Sequence, residues 1–136
     1  MREELRGPKV EGVAFAVVQQ LNEDNEKVYN VYLVNLREDI MEGIIVTSQG
    51  YGNNVSTGET IRTSKLRHSL EVLMPNEAAK IEPIIEEVFG LSNEYWLSFW
   101  AEDVLYDKKF VFVAESISEG NMKILPIIGE KGVMIK

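Results

Sequence analysis

A chain of 136 residues with 45% hydrophobic and 26% charged residues has the size and composition of an ordinary globular domain. It has no cysteine, which excludes a disulfide framework, a thiolate metal site and a cysteine nucleophile. The net charge of −8 disfavours nucleic-acid binding, which depends on lysine and arginine. With no apolar stretch of membrane-spanning or signal-peptide length, the sequence predicts one cytoplasmic domain over residues 1–136 that does not bind membranes, with 1–9 as a loosely ordered N-terminal arm.

The first half of the chain reads as β-structure. Two apolar runs, Val13–Leu21 and Val28–Leu36, flank the polar segment 22–27 and predict a hairpin. The second run is apolar on both faces, which is typical of a central strand. A third strand is predicted over Gly43–Ser48, and the composition of 49–58 indicates a loop.

Two shorter strands are expected next, over Glu59–Ser64 and Leu66–Leu73. Alternation in the second of these predicts one apolar face and one polar face. The apolar face would consist of Leu66, His68, Leu70 and Val72, with Arg67, Ser69 and Glu71 facing water.

Helix is expected at two places only. Asn76 after Pro75 is a possible N-cap for a turn running into Ala79. Pro83–Phe89 has proline at the first helical position, apolar side chains on one side and Gly90 after its end, so a second turn is predicted there.

The remaining chain is again strand-like. Tyr95–Ala101 and Lys109–Glu115 are dense in aromatic and β-branched residues and predict a second hairpin. The C-terminal segments 123–128 and 133–136 follow, and Pro126 indicates an edge strand because proline cannot donate to a ladder. Together these elements predict a mainly β fold, an antiparallel β-sandwich of about seven to nine strands with one or two short helical turns.

A basic segment stands out in this acidic chain. Residues 59–68 carry three cations against Glu59, whereas 71–103 carry eight acids against Lys80. One hypothesis is therefore a binder or hydrolase of small anionic ligands that uses the glycine-containing loop 50–58 and the basic strand 62–68. Its binding residues would be Tyr51, Arg62, Lys65, Arg67 and His68.

The competing interpretation of this segment is structural. The loop lacks the Gly-Lys-Ser/Thr of a phosphate loop, and the segment after it is strand-like. His68 and Ser69 are neighbours in a strand and point to opposite faces, so they cannot form a dyad. We expect His68 to be partly buried and hydrogen-bonded, and we predict no catalytic residue.

Carboxylate groups offer no specific metal pattern. Neither Glu86 with Glu87 nor Glu102 with Asp103 and Asp107 has the spacing of a calcium loop. We expect all five to be solvated turn charges and predict neither a metal nor a cofactor.

The aromatic hairpin is the leading candidate for an interaction surface. Residues 95–112 hold seven aromatic side chains, more than one face of a hairpin can bury. If Tyr95, Leu97 and Phe99 fill the core, Trp96 and Trp100 point to the other face, where either the 83–89 segment or another molecule could cover them. The expected function is a non-enzymatic binding or assembly module that contacts a protein partner or a second copy through its sheet, with Trp96, Trp100, Phe110 and Phe112 as interface residues.

Overall fold

The computed structural model describes residues 8–53 and 56–136 of the chain. These residues form ten strands and two short 3-10 turns, Glu86–Val88 and Glu119–Asn121. The strands are β1 Val13–Leu21, β2 Lys27–Asn35, β3 Met41–Asn53, β4 Thr60–Arg62, β5 Leu66–Leu73, β6 Ala78–Ile84, β7 Ser92–Ala101, β8 Val104–Phe112, β9 Lys123–Ile124 and β10 Lys131–Ile135.

The strands form two antiparallel sheets that pack face to face. The first sheet has the order β6-β2-β1-β10-β9. In the second sheet β3 is flanked on one side by β4 and β5 and on the other by β7, which pairs with β8. The predicted mainly β, antiparallel sandwich is confirmed, with ten strands in the described residues instead of seven to nine.

The centre of the first sheet is buried on both faces. The inner face of β1 packs in the core between the sheets, while Ala16 and Val18 on its outer face contact Leu125 from the segment after β9. Gly132 of β10 permits this close packing, because a Cβ atom there would lie 2.3 Å from the backbone oxygen of Val17. Gly132 thus lies within β10, where it pairs with Val18 of β1.

An aromatic cluster joins the two sheets. The ring of Phe15, on the inner face of β1, stacks on Tyr95 of β7 with centroids 5.1 Å apart. Its edge contact with Phe110 of β8 has a centroid distance of 5.0 Å, and Tyr95 in turn contacts Phe112. All four rings are buried, so this cluster fixes which face of β7 and β8 is the core face.

The first helix prediction is wrong, and the second holds only for a short part of its length. The turn expected from Asn76 is a tight turn with a positive φ of 60° at that residue, and the chain then enters β6. Pro83 lies inside β6, opposite Asn30 of β2. Because β6 is the edge of its sheet, a proline there costs no ladder hydrogen bond on the free side. Only the 3-10 turn Glu86–Val88 remains of the predicted second helix.

Three strand and loop predictions also need correction. β3 continues to Asn53, so the first five residues of the predicted loop 49–58 belong to the strand, and residues 54 and 55 lie outside the described residues. In β5, Val72 is exposed and Leu73 is buried, because the alternation changes between Leu70 and Leu73 as it does between Met41 and Ile44 of β3. Leu66 is exposed too, although it lies opposite the buried Ser48. The predicted N-terminal arm lies largely outside the described residues.

None of the helical segments in the described ranges has the length and apolar character needed to cross a membrane.

Replacing Phe15 with alanine tests the importance of the aromatic cluster. We expect Phe15→Ala to lower the free energy of unfolding by about 3–5 kcal/mol, the usual cost of removing a buried phenylalanine. Urea unfolding followed by circular dichroism measures this loss. Ile124→Ala, at a strongly exposed apolar side chain of β9, is the control and should change stability by about 0.5 kcal/mol or less. Equal effects of the two substitutions would contradict the role given to Phe15.

Candidate functional site

The outer face of the second sheet carries the two tryptophans. Tyr95, Leu97 and Phe99 are buried against the first sheet, and the alternating residues Trp96 and Trp100 point outward. The side chains of the two tryptophans are 47% and 45% exposed. The sequence left open which face of β7 is the core face; in the structure it is the face of Tyr95, Leu97 and Phe99, and the 83–89 segment does not cover the two tryptophan rings.

Phe110 and Phe112 do not belong to this surface. They lie opposite Tyr95 and Asn93 on β7, on the inner side of the sheet, and both rings are buried in the aromatic cluster. Counting aromatic residues could not separate the two pairs of rings, because that separation depends on the pairing register of β7 with β8. The prediction of these two residues as interface residues is thus wrong for the isolated chain, in which they are core residues.

The residues predicted to bind an anion are divided between two places. Arg62 lies opposite Tyr51 and Arg67 lies opposite Thr47, which is itself opposite Trp96, so both arginines belong to the tryptophan face. The Arg62 guanidinium lies over the Tyr51 ring at 6.0 Å from its centroid. Lys65 is exposed between β4 and β5. His68 instead contacts the carboxylate of Glu82, between the two sheets. The five residues therefore do not form one anion site.

Charge is distributed unevenly along this outer face. The half nearer to Tyr51 carries the cations Arg62, Arg67 and Lys109, and the Lys109 Nζ atom lies 5.6 Å from the centre of the Trp96 ring. The other half, toward the β7–β8 turn, carries Glu42, Glu102, Asp103 and Asp107. Glu94, an acid in the basic half, lies 3.6 Å from the Lys109 ammonium group. Trp96 therefore lies in the basic half and Trp100 in the acidic half.

A second feature is a carboxylate buried between the sheets. β6 contains a bulge at Ile81, since Val31 of β2 lies opposite Glu82 whereas Tyr32 lies opposite Lys80. A bulge lets two successive side chains point to the same side, and both Ile81 and Glu82 are buried here. The bulge thus places Glu82 opposite Val31, where regular pairing would have placed Ile81.

Three donors from the second sheet surround the Glu82 carboxylate. Ser48 Oγ donates to Oε1 at 2.8 Å, and His68 Nε2 lies 2.8 Å from the same oxygen. The Tyr95 hydroxyl donates to Oε2 over a longer distance of 3.4 Å. The expected partly buried, hydrogen-bonded state of His68 is therefore confirmed. Burial raises the pKa of Tyr95 well above its usual range, and the charge of Glu82 raises it further.

Ser48, Glu82 and Tyr95 line a cavity of about 250 Å³ at the open edge between the sheets. Its walls are mainly apolar and come from β6, from the segment after β6 and from the β4–β5 connection. The apolar lining residues are Leu66, Pro83, Ile84, Ile85 and Val88. Such a cavity, with a few convergent polar groups, is the usual form of a small-molecule site.

The geometry does not support hydrolysis at this cavity. Ser48 and His68 both bind Glu82 Oε1, so the imidazole is not placed to take a proton from the serine hydroxyl. The carboxylate also disfavours an anionic ligand. Sequence reasoning identified His68 but missed Ser48, Glu82 and Tyr95, because the pairing that brings them together joins residues far apart in the chain.

The carboxylates that were considered as metal ligands lie on the surface. Glu86, Glu87, Glu102, Asp103 and Asp107 are exposed, which confirms them as solvated charges. Across residues 8–53 and 56–136 no three histidine, aspartate or glutamate side chains are grouped to hold a metal ion. Comparison of the chain with protein-family models and with curated proteins gives no match.

The raised pKa of Tyr95 predicts a loss of stability at alkaline pH. The unfolded chain releases this phenolic proton near its ordinary pKa of about 10, whereas the folded chain retains it, so rising pH above about 10 favours unfolding. Each pH unit in that range should cost up to about 1.4 kcal/mol from this one group. Between pH 10 and pH 11, we expect the free energy of unfolding measured in urea to fall less for Tyr95→Phe than for the wild type. An equal loss in both proteins would contradict the prediction.

Proposed function

We propose that this protein is a non-enzymatic assembly module in which two copies associate through the tryptophan face, the outer face of β3, β5, β7 and β8. The observation that carries the proposal is the pair of half-exposed tryptophans on a face that no described element covers. Tryptophan is among the residues most enriched at the centres of protein interfaces. A second copy is the occupant that the charges of this face favour.

The charge distribution makes the face complementary to itself. A two-fold axis that lies in the plane of the interface and runs across the strands, between Trp96 and Trp100, would place the basic half of one copy on the acidic half of the other. Arg67 would then approach Glu71 of the second copy, the exposed acid four residues further along β5, and this contact occurs twice because every contact of a two-fold interface is repeated. The overall charge of −8 opposes this association only weakly, because salt screens exposed charges beyond about 8 Å.

The size of the face is adequate for a dimer. Four neighbouring strand positions spaced about 4.8 Å apart, with strands of about ten residues, give a surface of roughly 20 Å by 30 Å. A stable interface usually buries about 800 Å² on each partner. The accessible surface of this face is of the same order, because protruding side chains add to its flat area. A cytoplasmic location and the lack of nucleic-acid and membrane partners stay predictions from the sequence.

Removing the two tryptophan rings tests the proposal. We expect the wild type to dimerise at micromolar concentrations in sedimentation equilibrium, and Trp96→Ser/Trp100→Ser to weaken dimerisation at least a hundredfold because it removes the apolar centre of the interface. Circular dichroism must show that the variant is folded. A matched control, Leu21→Ser, removes a strongly exposed apolar side chain of the first sheet and should leave dimerisation unchanged. A wild type that stays monomeric at several hundred micromolar would contradict the proposal.

Charge reversal tests the two-fold arrangement. Arg67→Glu and Glu71→Arg should each weaken self-association about tenfold or more, because each places like charges opposite one another in both halves of the dimer. An equimolar mixture of the two variants should recover a dimer, since the heterodimer restores opposite charges at both contacts. Lys80→Glu, on β6 of the first sheet, is the control. Dimers that form equally well in every variant would show that another surface mediates association.

A further inference from the structure

The Glu82 carboxylate is buried without a permanently charged partner. It is 9% exposed, and among the described residues no lysine or arginine nitrogen lies within 4.0 Å of it. Its donors are the Ser48 hydroxyl, the Tyr95 hydroxyl and the His68 imidazole. Burying a carboxylate is costly unless its charge is compensated, so this side chain is suited to receive a cation.

The two carboxylate oxygens differ in what they can still accept. Oε1 already accepts the two short contacts from Ser48 and His68. Oε2 has only the 3.4 Å contact with Tyr95, which is longer than the usual 2.5–3.0 Å between two oxygens. Oε2 therefore retains acceptor capacity for a donor that enters through the cavity.

We propose that the cavity binds a small organic monocation, a primary ammonium group on a short aromatic or aliphatic body. The ammonium group donates to Glu82 Oε2, and the body packs against Ile84, Ile85 and Val88. A volume of about 250 Å³ corresponds to roughly eight water-sized groups, at about 30 Å³ each, which sets the size of the ligand. This site is independent of the proposed dimer, because it opens at the edge between the sheets and not on the tryptophan face.

Three probes of nearly equal shape test the charge preference on the wild-type chain. Benzylammonium, benzyl alcohol and benzoate are titrated at pH 7 while backbone amide shifts are followed by NMR. We expect benzylammonium to shift the amides of Gly50, Thr63 and Leu66 at millimolar concentrations and to bind at least tenfold more tightly than benzyl alcohol, with no binding of benzoate. Equal affinity for the cation and the alcohol, preference for benzoate, or no shifts at these amides would overturn the proposal.

Substitutions in the cavity test the partner of the ammonium group. Glu82→Gln keeps the shape of the side chain and an acceptor oxygen but removes the charge. It should therefore weaken benzylammonium binding at least tenfold and leave the affinity for benzyl alcohol unchanged. Glu87→Gln, an exposed neighbour with the same chemical change, should bind like the wild type. If Glu82→Gln does not fold, Leu66→Trp on the exposed rim should block the cavity and abolish the shifts. Undiminished binding in the folded variant would overturn the assignment of Glu82.

Discussion

The contact between Phe15 and Tyr95 is the constraint on which the rest of the structure depends. It joins the centre of the first sheet to the centre of the second, and it is buried on all sides. Once Tyr95 faces inward, alternation requires Trp96 to face outward, because neighbouring residues of a strand point to opposite faces. The same contact holds the Tyr95 hydroxyl near Glu82. The tryptophan face and the polar cavity are therefore two consequences of one packing arrangement.

The regular pairing of the strands is interrupted at two places, one in each sheet. One lies on β3 between Glu42 and Ile45, where Gly43 has a φ of 54° that glycine adopts readily, and the adjacent Trp100 ring lies close to it. The other is the bulge at Ile81, which turns Glu82 inward. The irregularity at Gly43 changes the side-chain alternation of β3 beside Trp100. The bulge at Ile81 supplies the carboxylate that lines the cavity. In both places an extra residue changes which side chains share a face.

The sequence allowed the fold class to be predicted, and strict alternation over Tyr95–Ala101 showed that Trp96 and Trp100 share one face, but alternation alone does not say which face of the strand is buried. The sequence also allowed the state of His68 to be predicted, since the histidine alternates with apolar neighbours. The cavity could not be predicted. Pro83 with the following apolar residues resembles a helix start, and only pairing with β2, about fifty residues earlier in the chain, makes this segment a strand. The burial of Glu82 then depends on a bulge that no local pattern specifies.

The edge position of β6 has a consequence for how this molecule can meet others. A free sheet edge presents backbone donors and acceptors to which any extended chain can add. In β6 the proline at position 83 removes one donor, and the bulge at Ile81 breaks the even spacing of the rest. Such an edge resists continuous strand addition, the first step of many aggregation processes. The residues that shape the cavity thus also discourage unspecific growth of the sheet.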